Sequence, residues 1–174
     1  MLSAPMTKAL NEQIAREGQA SDMYLAMAAW CEQSKLPGCA NFFYAQADEE
    51  RVHLLKLFRY VSSAGAAAVV PGRDAPPAKY KSILAAFEYA LKKEEEVTAA
   101  INELIDLCLK QKDYGTELFL QWYVAEQQEE EGSFRAICDM IALVGPEGRG
   151  LYLIDNDIAA RTGAAAAAAG DGGK

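Results

Sequence analysis

The residues of this chain that are best placed for metal chemistry are Glu50 and His53. They stand three positions apart in segment 48–53 (DEERVH), so on a helix their side chains share one face. A carboxylate oxygen and an imidazole nitrogen in that arrangement can bind one transition-metal ion, each at about 2.0–2.2 Å. His53 is also the only histidine. Because Glu-x-x-His occurs by chance on many exposed helices, the pair needs support from the rest of the sequence.

Length and charge narrow the classes of protein to consider. A chain of 174 residues is typical of one domain with a real core. The net charge of −8 argues against nucleic acid as a partner and suits cations. No apolar run approaches the roughly 18 residues that span a bilayer, and no secretory leader is evident, so neither a membrane partner nor export is expected. The four cysteines lie far apart, without Cys-x-x-Cys, which is typical of reduced thiols in a cytoplasmic protein.

Apolar residues recur at helical spacing in four long segments. These segments cover about residues 5–34, 37–64, 82–111 and 116–144. After Gly145-Pro146 the apolar residues from Leu151 to Ile158 predict a short fifth helix. A single domain is therefore expected over residues 1–162. The alanine- and glycine-rich tail, 163–174, has no apolar pattern and is predicted to be disordered.

The lengths of the connections predict the topology. Short breaks near residues 35–38 and 112–115 allow only antiparallel neighbours. The connection after the second helix is rich in glycine and proline and has about 15 to 17 residues, which span roughly 50 Å when extended. A helix of roughly 27 residues is only about 40 Å long, so this connection can run the length of the bundle. The predicted fold is all-α: a four-helix bundle with one long crossover and a short fifth helix.

Polar residues interrupt each of the four apolar stripes near the middle of its helix. Grouping several carboxylates away from water costs several kcal/mol per ion unless a counter-charge is present. No basic residue is among the interruptions, so bound metal is the predicted counter-ion. The alternative is that these acidic residues face solvent, as most charged residues on amphipathic helices do. The interruptions are Glu17 in the first helix, Glu50 and His53 in the second, Glu94 in the third, and Gln127 and Glu130 in the fourth.

Over about residues 5–160 this pattern resembles the non-haem bacterial ferritins, which are di-iron four-helix bundles. The resemblance rests on Glu17, Glu50-x-x-His53, Glu94 and Gln127-x-x-Glu130, with support from 11–13 (NEQ), 120–123 (LQWY) and 150–152 (GLY). It implies two iron ions per subunit. Glu17, Glu50 and His53 would bind the first, and Glu94 and Glu130 the second, with Glu50 bridging and Gln127 close by.

The resemblance also carries expectations for neighbouring residues. One histidine in place of two departs from the bacterioferritin pattern and makes the two irons unequal, the second being more labile. Arg51 stands where bacterioferritins have a haem-ligating methionine, so no haem is expected. Tyr24, two turns beyond Glu17, would either supply an electron during O₂ reduction or pack as a core aromatic. Glu49, Glu126 and Glu129 resemble a third iron site, the alternative being an exposed acidic face.

By this resemblance the protein stores iron and is a ferroxidase. It would oxidise Fe(II) with O₂ or H₂O₂ and hold Fe(III) mineral inside a shell of 24 copies of itself. A peroxide-detoxifying enzyme of the rubrerythrin type is one alternative, although the cysteine-rich segment usual in that family is absent from the sequence. A DNA-coating mini-ferritin is opposed by the fifth helix and the acidic charge. A helical scaffold without catalysis would gain nothing from buried glutamates.

Overall fold

The computed structural model describes residues 2–171, and the helices predicted from the apolar spacing are present within this range. There is no β-strand among the described residues. No helix in the same range is both long and apolar enough to cross a membrane. The five helices are α1 (Ala4–Gln33), α2 (Pro37–Ser63), α3 (Ile83–Gln111), α4 (Tyr114–Val144) and α5 (Arg149–Asp171).

Side-chain caps explain where three of the helices begin. The Ser3 hydroxyl accepts a hydrogen bond from the backbone N–H of Met6 at 3.1 Å. The Ser82 hydroxyl accepts one from the backbone N–H of Ala85, also at 3.1 Å. Asp113 does the same for Thr116 N at 3.1 Å, so α4 begins two residues before the predicted start. Lys112, with φ of 56°, adopts the left-handed conformation that ends α3 and allows the tight turn into α4.

The crossover, residues 64–82, runs along α1 from near its start to near its end, where the ring centroids of Trp30 and Tyr80 lie 5.5 Å apart. The Asn11 amide binds the backbone at Ala67 and Val69, at 3.0 and 2.7 Å. Further along α1, the Gln19 amide pairs with the backbone N–H and carbonyl of Asp74, at 3.0 and 2.9 Å. Since the crossover traverses the bundle in this way, α2 and α3 are parallel, and the all-α bundle with one long crossover is confirmed.

The core consists of two apolar clusters separated by a polar layer. One cluster is aromatic, containing Tyr24, Phe43, Phe87 and Phe134, together with Ile154 and Ile158 of α5. The other is mainly aliphatic, containing Leu10, Ile14, Leu57, Ile101 and Leu120. The polar residues that interrupt the four stripes lie between them. The bundle therefore brings these interruptions together at its centre.

The fifth helix is longer than the sequence predicts. α5 continues through Asp171 and so includes residues 163–171 of the segment predicted to be a tail. Alanine has the highest helix propensity of all residues, so the alanine run extends a helix that is already started, without needing an apolar stripe. Residues 172–174 of the predicted tail lie outside the described part of the chain.

Candidate metal centre

All six residues predicted to surround the two irons are buried in the polar layer. None of them exposes more than 6% of its surface. They come from four helices, so no isolated helix could bring them together. The structure thus excludes the alternative that these acids face solvent in the subunit. The six are Glu17, Glu50, His53, Glu94, Gln127 and Glu130.

Three carboxylates surround the imidazole of His53. Its Nδ1 atom lies 3.7 Å from Glu50 Oε2, 3.9 Å from Glu17 Oε2 and 3.9 Å from Glu130 Oε1. These distances are too long for good hydrogen bonds. They fit ligand atoms that each lie about 2 Å from a shared ion, since two such ligands are then roughly 3 to 4 Å apart.

Glu50 connects two groups of ligands. Glu17, Glu50 and His53 can direct one ligand atom each to within 4.8 Å of one another, and so can Glu50, Glu94 and Glu130. A carboxylate has two oxygens, so one glutamate can bind two ions. The arrangement therefore has the form of a two-metal site with a bridging carboxylate.

Several atoms of this layer have no hydrogen-bond partner among the described residues. They include Glu17 Oε2, Glu50 Oε2, Glu130 Oε2 and His53 Nδ1. Buried polar atoms are nearly always paired, so four orphaned acceptors facing one centre require an explanation. Cations bound in the two ligand groups supply the missing partners. The donor set, mostly hard carboxylate oxygen with one imidazole, fits iron.

A second set of residues orients the ligands through hydrogen bonds. Gln13 Nε2 donates to Glu17 Oε1 at 2.8 Å, which leaves the other oxygen of Glu17 for a metal. Gln127 Nε2 donates to Glu94 Oε2 at 3.2 Å, and so acts on the second group of ligands through Glu94. Tyr123 donates from its hydroxyl to the backbone carbonyl of His53 at 2.8 Å. Such contacts fix ligand geometry before the metal binds.

Burial makes the metal-free carboxyl groups weak acids. Loss of water raises the pKa of Glu17, and raises the pKa of Glu50 well above its ordinary value. The pKa of Glu130 is raised for the same reason, and the nearby Glu94 carboxylate adds to the effect. Without a cation these groups therefore tend to retain protons, which metal binding would release.

Tyr24 lies at the boundary between the polar layer and the aromatic cluster. Its ring is fully buried and stacks between Phe43 and Phe134, with centroid distances of 5.9 and 5.8 Å. Its hydroxyl donates to Glu94 Oε1. Burial raises the pKa of Tyr24 well above 10.0, with the charge of Glu94 as the next cause. Tyr24 is thus both a packed core aromatic and a neighbour of a candidate ligand.

The residues predicted for a third iron site are only partly brought together. Glu49 and Glu126 can direct ligand atoms to within 4.8 Å of each other and of His53 and Glu130. Glu129 is exposed and is not part of this group. It is still close enough for its charge to help raise the pKa of Glu49, for which burial is the main cause.

Two residues near the site were not assigned a role from the sequence. Gln13 is fully buried four positions before Glu17, and a polar residue at that spacing on the α1 stripe was the available signal. Trp122 belongs to the 120–123 (LQWY) segment, which in sequence alone indicates no contact with the site. Its ring lies edge-on to that of His53, with 5.2 Å between centroids. No one-dimensional pattern predicts that contact, because it joins α4 to α2.

Comparison with known families agrees with this geometry. The family model for the ferritin-like domain matches residues 7–144, most of the chain. The chain belongs to the ferritin family. A bacterial non-heme ferritin of Campylobacter jejuni is 43% identical over 158 residues, covering 91% of this chain and 95% of that protein. A probable bacterial non-heme ferritin-like protein of Haemophilus influenzae is 42% identical over the same length, with 91% and 96% covered.

Solved ferritin structures have the same fold. The open pore ferritin of the archaeon Archaeoglobus fulgidus superposes with a TM-score of 0.89 at 38% identity, covering 91% of this chain and 98% of that one. The resemblance to non-haem bacterial ferritins, stated from the glutamate pattern, is therefore confirmed.

Proposed function

We propose that this ferritin oxidises Fe(II) at the layer around Glu50 and stores the resulting Fe(III) as a mineral. The observation that carries the proposal is the pair of ligand groups sharing Glu50, buried at the centre of the bundle and rich in unpaired acceptor atoms. Iron is the substrate of this site as well as the stored material. Carboxylate-rich ligation favours Fe(III), the product, while a single histidine helps to hold Fe(II).

The two groups of ligands have separate tasks. Glu17, Glu50 and His53 bind the first Fe(II), and Glu94 and Glu130 bind the second, with Glu50 between them. Two Fe(II) ions give two electrons to O₂, which with two protons becomes H₂O₂, or to H₂O₂, which becomes water. The second iron lacks a histidine ligand and is held less tightly, which suits its release as product.

Tyr24 is placed to supply a further electron. Its hydroxyl already donates to Glu94, so the phenol can pass its proton to that carboxylate when the ring loses an electron. The stacked Phe43 and Phe134 rings exclude water from this position. We expect no haem, because Arg51 is exposed on α2 and a guanidinium does not ligate iron.

Assembly into a hollow shell of 24 subunits in the cytoplasm completes the proposal. Large apolar side chains at several places on the subunit are exposed and suit contact with further copies. They include Leu25 and Val52 on α1 and α2, Tyr114 and Leu118 at the start of α4, and Leu143 and Tyr152 around the start of α5.

Substitution of two ligands tests the ferroxidase function. In His53→Ala and Glu50→Ala, rapid oxidation should slow by at least about tenfold, because a ligand of the first iron is lost. The measurement is stopped-flow absorbance after adding two Fe(II) per subunit, with gel filtration to verify assembly. Gln128→Ala, an exposed change on α4, is the matched control. An unchanged initial rate in either ligand variant would remove that residue from the site.

The third iron site needs a separate test. Glu49 and Glu126 are more open than the di-iron ligands and bring no histidine of their own, so they should accept Fe(III) after oxidation. Glu126→Gln should leave the first turnover nearly intact and slow the following ones. Glu129→Gln should have the smaller effect, because Glu129 lies outside the ligand group. Loss of the first phase in Glu126→Gln would place Glu126 in the di-iron site, and normal kinetics throughout would leave an exposed acidic face.

A further inference from the structure

Lys56 and Trp122 form a close contact beside the candidate di-iron site. The Lys56 ammonium nitrogen lies 3.1 Å from the centroid of the Trp122 ring, over its face. The same nitrogen is 5.8 Å from the ring centroid of Tyr123. A cation over the face of tryptophan is attracted by the ring's electron density.

Trp122 is also an oxidisable ring beside His53, nearer to it than Tyr123 is. Its ring centroid lies 5.2 Å from that of His53, with the two planes at 80°. A ring so near an iron ligand is exposed to whatever oxidant forms from O₂ or H₂O₂ at the iron. Tryptophan is an electron-rich side chain, so such an oxidant can readily oxidise it.

Tyr24 and Trp122 therefore flank one site with different nearest charged groups, a carboxylate beside Tyr24 and an ammonium group beside Trp122. Tyr24 has a carboxylate, Glu94, that can take its proton, which favours loss of an electron. Trp122 has an ammonium group 3.1 Å from the ring centre. Loss of an electron puts positive charge on the indole ring, so the attraction to Lys56 becomes repulsion between like charges.

We propose that Lys56 is a positioning residue that protects Trp122 from oxidation during iron turnover and so directs electron loss toward Tyr24. The inference rests on the proposed ferroxidase function, which generates the oxidant. It extends that function to a residue that binds no iron.

The damage that Lys56 prevents is a defined reaction. With H₂O₂ as oxidant, Trp122 and one H₂O₂ give hydroxytryptophan and one water. The O–O bond breaks, one oxygen forms a C–O bond to the indole ring, and the displaced ring hydrogen leaves in the water. The first step removes one electron from the indole, which the oxidant accepts, and this is the step that the Lys56 charge opposes.

The chain offers sharp controls for a test. Lys56→Met removes the charge and keeps most of the side-chain length, whereas Lys56→Arg keeps a cation that can stack on the ring. Lys93→Met removes a lysine that lies 5.7 Å from the ring centroid of Tyr89 and pairs with Glu96 at 2.6 Å, without contact to Trp122. Trp30, the second of two tryptophans, is an internal reference because it packs edge-on against Tyr80, and no cation lies over its ring among the described residues.

The experiment gives the assembled protein repeated additions of two Fe(II) per subunit with H₂O₂ and measures hydroxylated Trp122 by peptide mass spectrometry. We expect about tenfold more hydroxylated Trp122 in Lys56→Met than in the unaltered protein, and no rise in Lys56→Arg or Lys93→Met. Hydroxylation of Trp30 should be equal in all samples.

Two results would overturn the inference. One is equal hydroxylation of Trp122 with and without the Lys56 charge. The other is a rise in Lys56→Arg as large as in Lys56→Met, which would mean that packing and not charge protects the ring. The rate of Fe(II) oxidation is recorded in the same samples. If the unaltered protein fails to oxidise Fe(II), the proposed function fails, and this outcome is separate from a failure of Lys56 alone.

Discussion

At the scale of single residues, the central layer of acids costs stability in the metal-free protein. Glu17, Glu50, Glu94 and Glu130 are each at least 94% buried, and ionising several of them together would place like charges side by side. Replacing such a cluster by apolar residues would usually stabilise a fold. Its presence in the core is therefore an argument for a bound cation that is independent of any family comparison.

The stability of the metal-free protein should reflect these buried acids. Glu17, Glu50 and Glu130 have folded pKa values raised above 4.5, so their contribution to stability is present below that pH and is lost as the pH rises through the raised values. Each proton involved makes a slope of about 1.4 kcal/mol per pH unit. Metal-free protein should thus be less stable at pH 8 than at pH 5.5, and Zn(II) should reverse the loss.

Denaturant midpoints at the two pH values, with and without Zn(II), provide the measurement. Glu17→Gln combined with Glu50→Gln removes two of the acids and should flatten the pH dependence, whereas Glu95→Gln, an exposed change on α3, should not. Equal slopes in all three proteins would show that the buried carboxyl groups do not govern the pH dependence.

The buried polar residues of the central layer could be found in the sequence because each breaks an apolar stripe. Glu94 between Leu91 and Thr98 is an example, since an acid at a core position is anomalous at once. The hydrogen-bond partners could not be predicted in this way. Whether Gln127 ligates iron or orients Glu94 depends on its side-chain rotamer, and that is set by contacts between α3 and α4 that the spacing within α4 does not contain.

At the scale of helices, α5 is connected to the bundle by a contact at the start of α2. Leu36 provides no side-chain cap for α2. Instead Asp155 of α5 accepts a hydrogen bond from Cys39 N through Oδ1 at 2.9 Å. Gly38 makes this approach feasible, because a Cβ at that position would lie 2.0 Å from the carbonyl oxygen of Asp155. The acidic cap also interacts favourably with the helix dipole.

Substitutions at this contact should release α5. Asp155→Ala should cost about 1 kcal/mol, the typical value of a helix cap, while Asp155→Asn keeps an oxygen acceptor and should cost less. Gly38→Ala should cost more than Asp155→Ala, because its methyl group meets backbone and α5 must move. Thermal unfolding together with hydrogen exchange in α5 tests the order, and Gly132→Ala, where a Cβ meets nothing within 4 Å, is the control. Unchanged exchange in α5 for Gly38→Ala would refute the contact.

The topology could be predicted from the length of the crossover, but the residues that bind the crossover could not be predicted from the sequence. A connection long enough to traverse the bundle predicts parallel α2 and α3 on geometric grounds. Asn11 and Gln19 bind the crossover backbone with their amides, and a polar residue on a helix gives no signal of that role in sequence. α5 extends beyond its predicted end for a related reason. Apolar periodicity was the criterion, whereas an alanine run extends a helix by propensity alone.

At the scale of the whole molecule, the acidic charge and the exposed apolar residues serve different surfaces of the proposed shell. The net charge of −8 favours cations around and inside it. The exposed apolar residues favour contacts between copies. The position of α5 matters here, because Tyr152 and Leu153 are exposed on it while Ile154 and Ile158 are fully buried. One face of α5 is thus fixed to the subunit and another is presented outward.

Because α5 has a buried face and an exposed face, the positions of its buried residues predict which part of the helix the shell requires. The residues that anchor α5 all precede Thr162: Ile154 and Ile158 are in the aromatic core cluster, and Asp155 caps α2. Deleting Gly163 to Lys174 removes none of them, so the truncated protein should still assemble and oxidise iron at the original rate. Ile158→Asp places an unpaired charge in the core, which typically costs 3–5 kcal/mol, and should abolish assembly. Gel filtration of both proteins decides, and loss of the large oligomer in the truncated protein alone would mean that the alanine-rich end of α5 itself makes a contact between subunits.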